Sequence, residues 1–316
     1  MAKLKIGVGG VPLTSKKRDT VSGIKRVREL KLDLMEIEFV HGVKMTEERA
    51  RIVNETRKSS EIELTIHGPY YINLASDDNR KFYGSIKYIT DSVYVGGLCG
   101  AKSVTFHPAF YQKKEKEEVF SHVKSAFEKI YKEFEKEKYL DHPIRQGEIV
   151  IAPELTGKPT QFGDIEELVK LSDELKDFDL RLCIDFAHKY ARSNGIYNGY
   201  DKFVEILEYV ENNLGRKYLD SLHMHVSAIN FGEKGEKNHL TFLQSIEEYN
   251  SEGIEIRGLD SEFKKQEEKG KTFDSGFKWR ELLQALKDKN IGGYLVCESP
   301  ILEYDALLLK QTYDNL

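Results

Sequence analysis

Eight short segments rich in β-branched and other apolar side chains alternate along this chain with longer segments of helical period. That alternation is the mark of a parallel sheet whose strands are joined by crossover helices, and it leaves few folds open. Strands are predicted over residues 4–8, 34–39, 63–67, 103–107, 149–154, 180–185, 221–226 and 294–298. Most of them read as near-continuous apolar runs, as strands covered on both faces should. Val119, Val123, Phe127, Ile130, Tyr131 and Phe134 recur at three- and four-residue spacing among Lys and Glu, which predicts a core-packed helix. Further helices are predicted over 46–59, 80–97, 164–176, 200–213, 277–288 and 303–314. An α/β chain of this kind closes into a (β/α)8 TIM barrel, with an open doubly wound sheet as the second choice. The expectation is a single barrel domain over 1–316, with a long excursion between strands seven and eight in which about 250–275 forms a charged surface insertion.

Composition narrows the function classes. With 40% hydrophobic and 32% charged residues in 316, the chain has material for a large core and is not intrinsically disordered. A formal charge of −5 argues against a general polyanion binder, although bound cations would change the local sign. The longest stretch free of Asp, Glu, Lys and Arg, residues 64–76, is too short for a membrane span, and the first residues lack the pattern of a secretory leader. A cytoplasmic monomer with no membrane partner is expected. Cys99, Cys183 and Cys297 lie in apolar surroundings without Cys-x-x-Cys spacing, which predicts buried reduced thiols.

Function in a barrel collects where the strands end, because the loops there converge on one mouth. Here His67, His107, Glu154, Asp185, His223 and Glu298 end six consecutive predicted strands, and His188 follows just past the sixth. Imidazoles and carboxylates are the ligands of zinc and similar first-row divalent metals. Burying so many ionisable groups together is costly unless cations compensate them. Seven candidates exceed what one zinc takes, so two or three metals sharing a carboxylate are expected, with Glu154, midway in the ring, as the natural bridge and catalytic centre. Such sites stabilise both oxygens of a phosphoryl displacement, which favours phosphoester hydrolysis. Metal identity stays open among Zn2+, Mn2+ and Fe2+.

The motifs His67-Gly68-Pro69-Tyr70-Tyr71-Ile72-Asn73-Leu74, Thr105-Phe106-His107-Pro108, Pro153-Glu154-Leu155-Thr156-Gly157-Lys158, Cys183-Ile184-Asp185-Phe186-Ala187-His188, Leu222-His223-Met224-His225 and Cys297-Glu298-Ser299-Pro300 resemble the endonuclease IV family of apurinic/apyrimidinic endonucleases. The resemblance implies a trinuclear zinc enzyme of base excision repair. Its substrate would be double-stranded DNA containing abasic sites, cut 5′ to the lesion to leave a 3′-hydroxyl and a 5′-deoxyribose phosphate. It implies His67, His107 and the bridging Glu154 as ligands of a first zinc, with Asp185, His223 and Glu298 completing a second. His188 would serve a third. The family completes that third site with an Asp-x-His pair, whereas this chain offers Glu236 and His239 at one residue wider spacing. His225 shares the face of His223 by strand period and is the alternative to it, His223 being nearer the family's position.

For DNA contact, Tyr70 matches a family aromatic that enters the duplex near the lesion. His41 stands where the family has a basic residue, and Lys158 and Arg192 are candidate phosphate contacts. Two other readings keep the metal centre: a sugar isomerase or epimerase of related fold, and a damaged-DNA binder that does not cut.

Overall fold

The computed structural model describes residues 3–256, 258 and 275–316. Eight parallel strands line the barrel: β1 (Leu4–Gly9), β2 (Leu34–Glu38), β3 (Glu63–His67), β4 (Ser103–Phe106), β6 (Val150–Pro153), β8 (Cys183–Asp185), β9 (Leu222–Val226) and β12 (Gly293–Cys297). Their order is β6-β4-β3-β2-β1-β12-β9-β8. The ring is joined between β6 and β8 by a parallel bridge from Glu154 to Cys183 and by hydrogen bonds from Leu155 N to Cys183 O and Arg181 N to Ile151 O, both 2.9 Å. The expected TIM barrel is the observed architecture.

Helices over Glu47–Ser60, Asn79–Cys99, Lys116–Phe134, Ile165–Glu174, Tyr200–Leu214, Trp279–Asp288 and Glu303–Asn315 match the predicted ones to within a few residues. The helix Thr20–Glu29 was not foreseen. It buries only Gly23, Ile24 and Val27, too few apolar positions to show a period in a charged segment. Further short elements follow the C-terminal ends of the strands, at the mouth. Two antiparallel pairs appear there: β5 (Ala109–Phe110) with β7 (Gln161–Phe162), and β10 (Ala228–Gly232) with β11 (Gly235–Leu240). The connection from β9 to β12 therefore starts with a hairpin and a short helix, Ile246–Ser251. Most of the expected insertion at 250–275 lies outside the described residues.

Register fixes which side chains face the barrel axis. Pairs Gly9–Glu36, Glu36–Thr65, Glu38–His67, His67–Thr105, Thr105–Ala152, Cys183–His223 and Asp185–His225 lie level, so all of these share the inner face. The alternate residues Ile6, Val8, Met35, Ile37, Leu64, Ile66, Val104, Phe106, Ile151, Ile184, Met224 and Leu295 face outward and are buried beneath the helices. The strands are thus two-sided: apolar outward, and inward largely small or polar. Gly7 belongs to the inner set, and a Cβ on it would come within 1.9 Å of the Leu34 carbonyl oxygen.

Candidate metal centre

Strand ends and the first turns after them bring the predicted ligands to one place. His67 Nε2 lies 3.3 Å from Glu154 Oε2, while His107 Nε2 is 3.4 Å and His188 Nδ1 3.2 Å from Glu154 Oε1. Asp185 is the N-cap of the helix Phe186–Arg192: one carboxylate oxygen accepts from His188 N at 2.7 Å, and the other stands 3.3 Å from the His188 ring. One oxygen thus holds the helix and the other faces the site. Three donor groups result at the mouth, each with ligand atoms within 4.8 Å of one another: His67, His107 and Glu154; Glu154, Asp185, His225 and Glu298; Asp185, His188 and His239; a fourth, Cys183, His223 and His225, lies deeper in the barrel. Glu154 joins the first to the second, and Asp185 the second to the third.

The sequence favoured His223 over His225, and the geometry reverses that choice. His225 Nδ1 is 3.4 Å from both Glu154 Oε1 and Glu298 Oε1. His225 lies level with Asp185, whereas His223 lies level with Cys183, one inward-facing position deeper in the barrel. There His223 Nδ1 contacts Ser103 Oγ at 3.0 Å, and Nε2 sits 3.0 Å from Glu36 Oε2. Two residues of strand span roughly 6 to 7 Å, more than a ligand can make up by bending.

Main-chain contacts set the imidazole tautomers. His67 Nδ1 is 2.8 Å from Gly68 O, His188 Nδ1 2.9 Å from Leu155 O, and His239 Nδ1 3.0 Å from Glu298 O. A carbonyl oxygen only accepts, so each Nδ1 carries a proton and Nε2 is the nitrogen left to face a cation. His188 Nε2 and His239 Nε2 both approach Glu236, at 3.5 and 3.9 Å. The candidate pair Glu236 and His239 is therefore assembled, and the hairpin explains its spacing. On a regular strand, residues three apart point to opposite faces. Here Asn238 pairs with Asn230 and Glu236 with Phe231, leaving Lys237 as the extra residue of a β-bulge. The bulge restores Glu236 and His239 to one face. Gly157 lets the hairpin close, since a Cβ there would lie 2.7 Å from Glu236 Cβ and 2.8 Å from His188 Cδ2.

Both Glu154 oxygens, Asp185 Oδ2 and His225 Nδ1 are buried without a hydrogen-bond partner. Orphaned buried polar atoms are costly, and four converging on one pocket are the arrangement a cation satisfies. The imidazole and carboxylate donor set fits divalent ions of the zinc type. Charge balance agrees. Burial together with the Glu154 and Asp185 charges pushes Glu298 up to about 7, against the pull of His225. Burial, Glu36 and Glu298 push Glu38 up to about 8, against His67. Burial resists an imidazolium at His67, but the carboxylates of Glu154, Glu38 and Glu36 prevail and raise it to about 10. The mouth carries more negative charge than its own side chains neutralise.

The candidate DNA contacts separate. Tyr70 is 59% and Tyr71 62% exposed, and the Tyr70 ring centre lies 5.7 Å from that of His67, at the rim of the mouth. His41 is exposed on the neighbouring loop, where Tyr70 N contacts Val40 O. Lys158 is half-buried near Glu236, whose carboxyl is raised by burial but lowered overall by His188, His239, His107 and Lys158. Arg192 is a correction. Its guanidinium is buried and committed to Asp164 Oδ2 at 3.0 Å, Thr156 Oγ1 at 3.0 Å, Lys158 O at 2.7 Å and Gln161 O at 2.9 Å. Its Nε and Nη1 hold the loop that follows β6, and the side chain is turned away from the surface.

Glu36 and Glu38 escaped the sequence reading. Their signal was two carboxylates spaced by two in an otherwise apolar strand, Leu34–Glu38, which places both on the inner face.

A family model described as xylose isomerase-like TIM barrel matches residues 24–311, and the chain belongs to that family. An uncharacterized protein of Methanocaldococcus jannaschii is 36% identical over 313 residues, covering 99% of this chain and 98% of that one. A probable endonuclease 4 of Thermoplasma volcanium is 26% identical over 195 residues, 61% of this chain and 63% of its own length. Among solved structures, endonuclease IV from Thermus thermophilus superposes with a TM-score of 0.63 at 16% identity, covering 98% of each chain. A D-tagatose 3-epimerase-like protein gives 0.65 at 17% identity, over 98% of this chain and 96% of that one. These likenesses reinforce the fold and leave the substrate to be argued from the site.

Proposed function

We propose that this chain is a metal-dependent DNA repair endonuclease, a hydrolase that cuts the phosphodiester 5′ to an abasic site. The observation that carries the reading is the joining of three donor groups through shared carboxylates, Glu154 and Asp185. A site built for a single ion has no use for that many donors. The endonuclease 4 relatives support the same class of substrate.

His67, His107 and Glu154 would hold one divalent ion, Glu154, Asp185, His225 and Glu298 a second, and Asp185, His188 and His239 with Glu236 a third. Ions so held supply Lewis-acid charge to a phosphodiester and lower the pKa of water. The chain's own residues supply geometry. Glu154 spans the first two groups, Oε2 facing His67 and Oε1 facing His107, His188 and His225. Main-chain carbonyls keep three imidazoles in the tautomer a cation needs. Tyr70, exposed beside His67, offers a stacking face to a base next to the gap in the duplex. Lys158 and His41 flank the mouth as contacts to the phosphate backbone.

A second reading is favoured by Glu38. Where the resembling family has a basic residue in the following loop, this chain ends β2 with a carboxylate at the mouth, which suits a hydroxylated sugar better than a phosphate. The test compares incision of a duplex containing one abasic site with ketose epimerisation, using the same metal-loaded protein before and after chelation. Chelator-sensitive incision without epimerisation is expected. Epimerisation without incision would reject the nuclease reading.

A further inference from the structure

Beneath the three donor groups at the mouth lies a second tier of ionisable residues, Glu36, Cys183 and His223, of which Cys183 and His223 form a fourth possible donor group with His225. Glu36 is fully buried inside the barrel and makes close, oblique ion-pair contacts with two imidazoles: Oε1 is 3.0 Å from His225 Nε2 and Oε2 is 3.0 Å from His223 Nε2. Thr65 Oγ1 donates to Oε2 at 2.8 Å, and His223 is tied on its far side to Ser103 Oγ at 3.0 Å. A continuous chain therefore runs Ser103, His223, Glu36, His225 across the interior, from the start of β4 to the mouth.

His225 differs from His67, His188 and His239 in one respect. Those three rings are anchored through Nδ1 on main-chain carbonyls, His188 Nδ1 lying beside Glu154 and Asp185 as well, whereas His225 faces Glu154 and Glu298 with Nδ1 and makes no hydrogen bond to a carbonyl. We infer that Glu36 takes the place of that carbonyl: it is a positioning residue that keeps the proton of His225 on Nε2 and so aims the Nδ1 lone pair at the second donor group. A carboxylate behind a ligating imidazole also makes the imidazole a better donor. His223 and Thr65 hold Glu36 in turn, which gives His223 a role although it is not itself in the cluster with Glu154.

The inference rests on the metal-centre part of the proposed function and is independent of the substrate. Its test is Glu36→Gln, close in shape but without the charge, compared with the unaltered chain by zinc titration against a chromophoric chelator and by the visible absorption bands of the Co2+-loaded protein. The expected result is one binding step weakened on the order of 10- to 100-fold. The Co2+ bands should shift while the other steps stay within about threefold. Glu36→Asp should recover part of the loss. Circular dichroism of the metal-free variant reports folding. Should Glu36→Gln fail to fold, Thr65→Val removes one of the bonds that orient Glu36 and is expected to weaken the same step severalfold. Unchanged affinity and unchanged bands in whichever variant folds would overturn the inference. If the unaltered chain takes up no divalent ion, the metal centre itself falls and this role with it. Loss of the step in Glu36→Gln in a protein that never cuts DNA would overturn the nuclease reading and leave the role of Glu36 standing.

Discussion

The two faces of the same barrel strands obey opposite rules. Outward, Ile37, Leu64, Ile66, Val104, Phe106 and Met224 meet the helices in a continuous apolar layer that is almost wholly buried. Inward, Glu36, Glu38, Thr65, His67, Thr105, His223 and His225 stand where a TIM barrel ordinarily packs branched aliphatic side chains. Shifting any strand by one residue would exchange the two sets, so the apolar layer fixes the register and thereby aims the ligands. Stability and chemistry are thus written on alternate residues of one strand. The outer layer drives folding, and the inner one, with its buried carboxylates and imidazoles, works against it.

That contrast can be broken at its strongest point first. Replacing Glu154 by Gln removes the carboxylate common to two donor groups; abasic-duplex incision should fall on the order of 100-fold or more, with at least one metal lost per chain by elemental analysis. On the outer face the same strands should answer in stability instead: Phe106→Ala is expected to cost about 3–5 kcal/mol in denaturant unfolding of the metal-free protein, without a direct effect on ligand geometry.

Glu298→Gln sharpens the opposition, because it should weaken metal binding yet stabilise the metal-free chain by roughly 1–3 kcal/mol at pH 8. The sign follows from the raised acids. A carboxyl whose folded pKa is about 7, as for Glu298, or about 8, as for Glu38, lends stability below its unfolded value and loses it as pH rises through the folded one. The raised imidazolium of His67 acts in the same direction, its contribution fading as pH climbs towards about 10. Between pH 7 and 8 the metal-free protein should therefore melt progressively lower. Saturating zinc should remove or reverse that trend, because ligand protons are released when the ion binds. A melting temperature that rises with pH in chelator would contradict the excess of negative charge at the mouth.

The smallest expected effect separates two cations. Lys158→Ala should lower affinity for abasic duplex modestly and reduce the salt slope by about one ion. Arg192→Lys should leave that slope alone and instead loosen the loop after β6, seen as a lower melting temperature.

Much of this was legible in the sequence for identifiable reasons. Buried parallel strands are apolar on their outer face, and helices such as Lys116–Phe134 bury a regular stripe, so the eight barrel strands and most of the long helices could be read from period alone. His67, His107, Glu154, Asp185 and Glu298 were found because each ends a strand. His225 was passed over because strand period cannot say how deep in the barrel an inward residue sits; the level pairing of Asp185 with His225 decides that. Glu36 was hidden by its position mid-strand, since the reading looked for ligands only where strands end. Arg192 looked like an exposed cation because nothing in its neighbourhood announces that Asp164 and three carbonyls or hydroxyls of one loop converge on it.

The extra residue at Lys237 has a consequence for how such chains diverge. One insertion in an exposed hairpin changes the count between an acid and an imidazole while the kink it creates returns both to the same side. A pattern search written for a fixed interval would pass this chain by, and one that measured the gap across the ladder in space would find it.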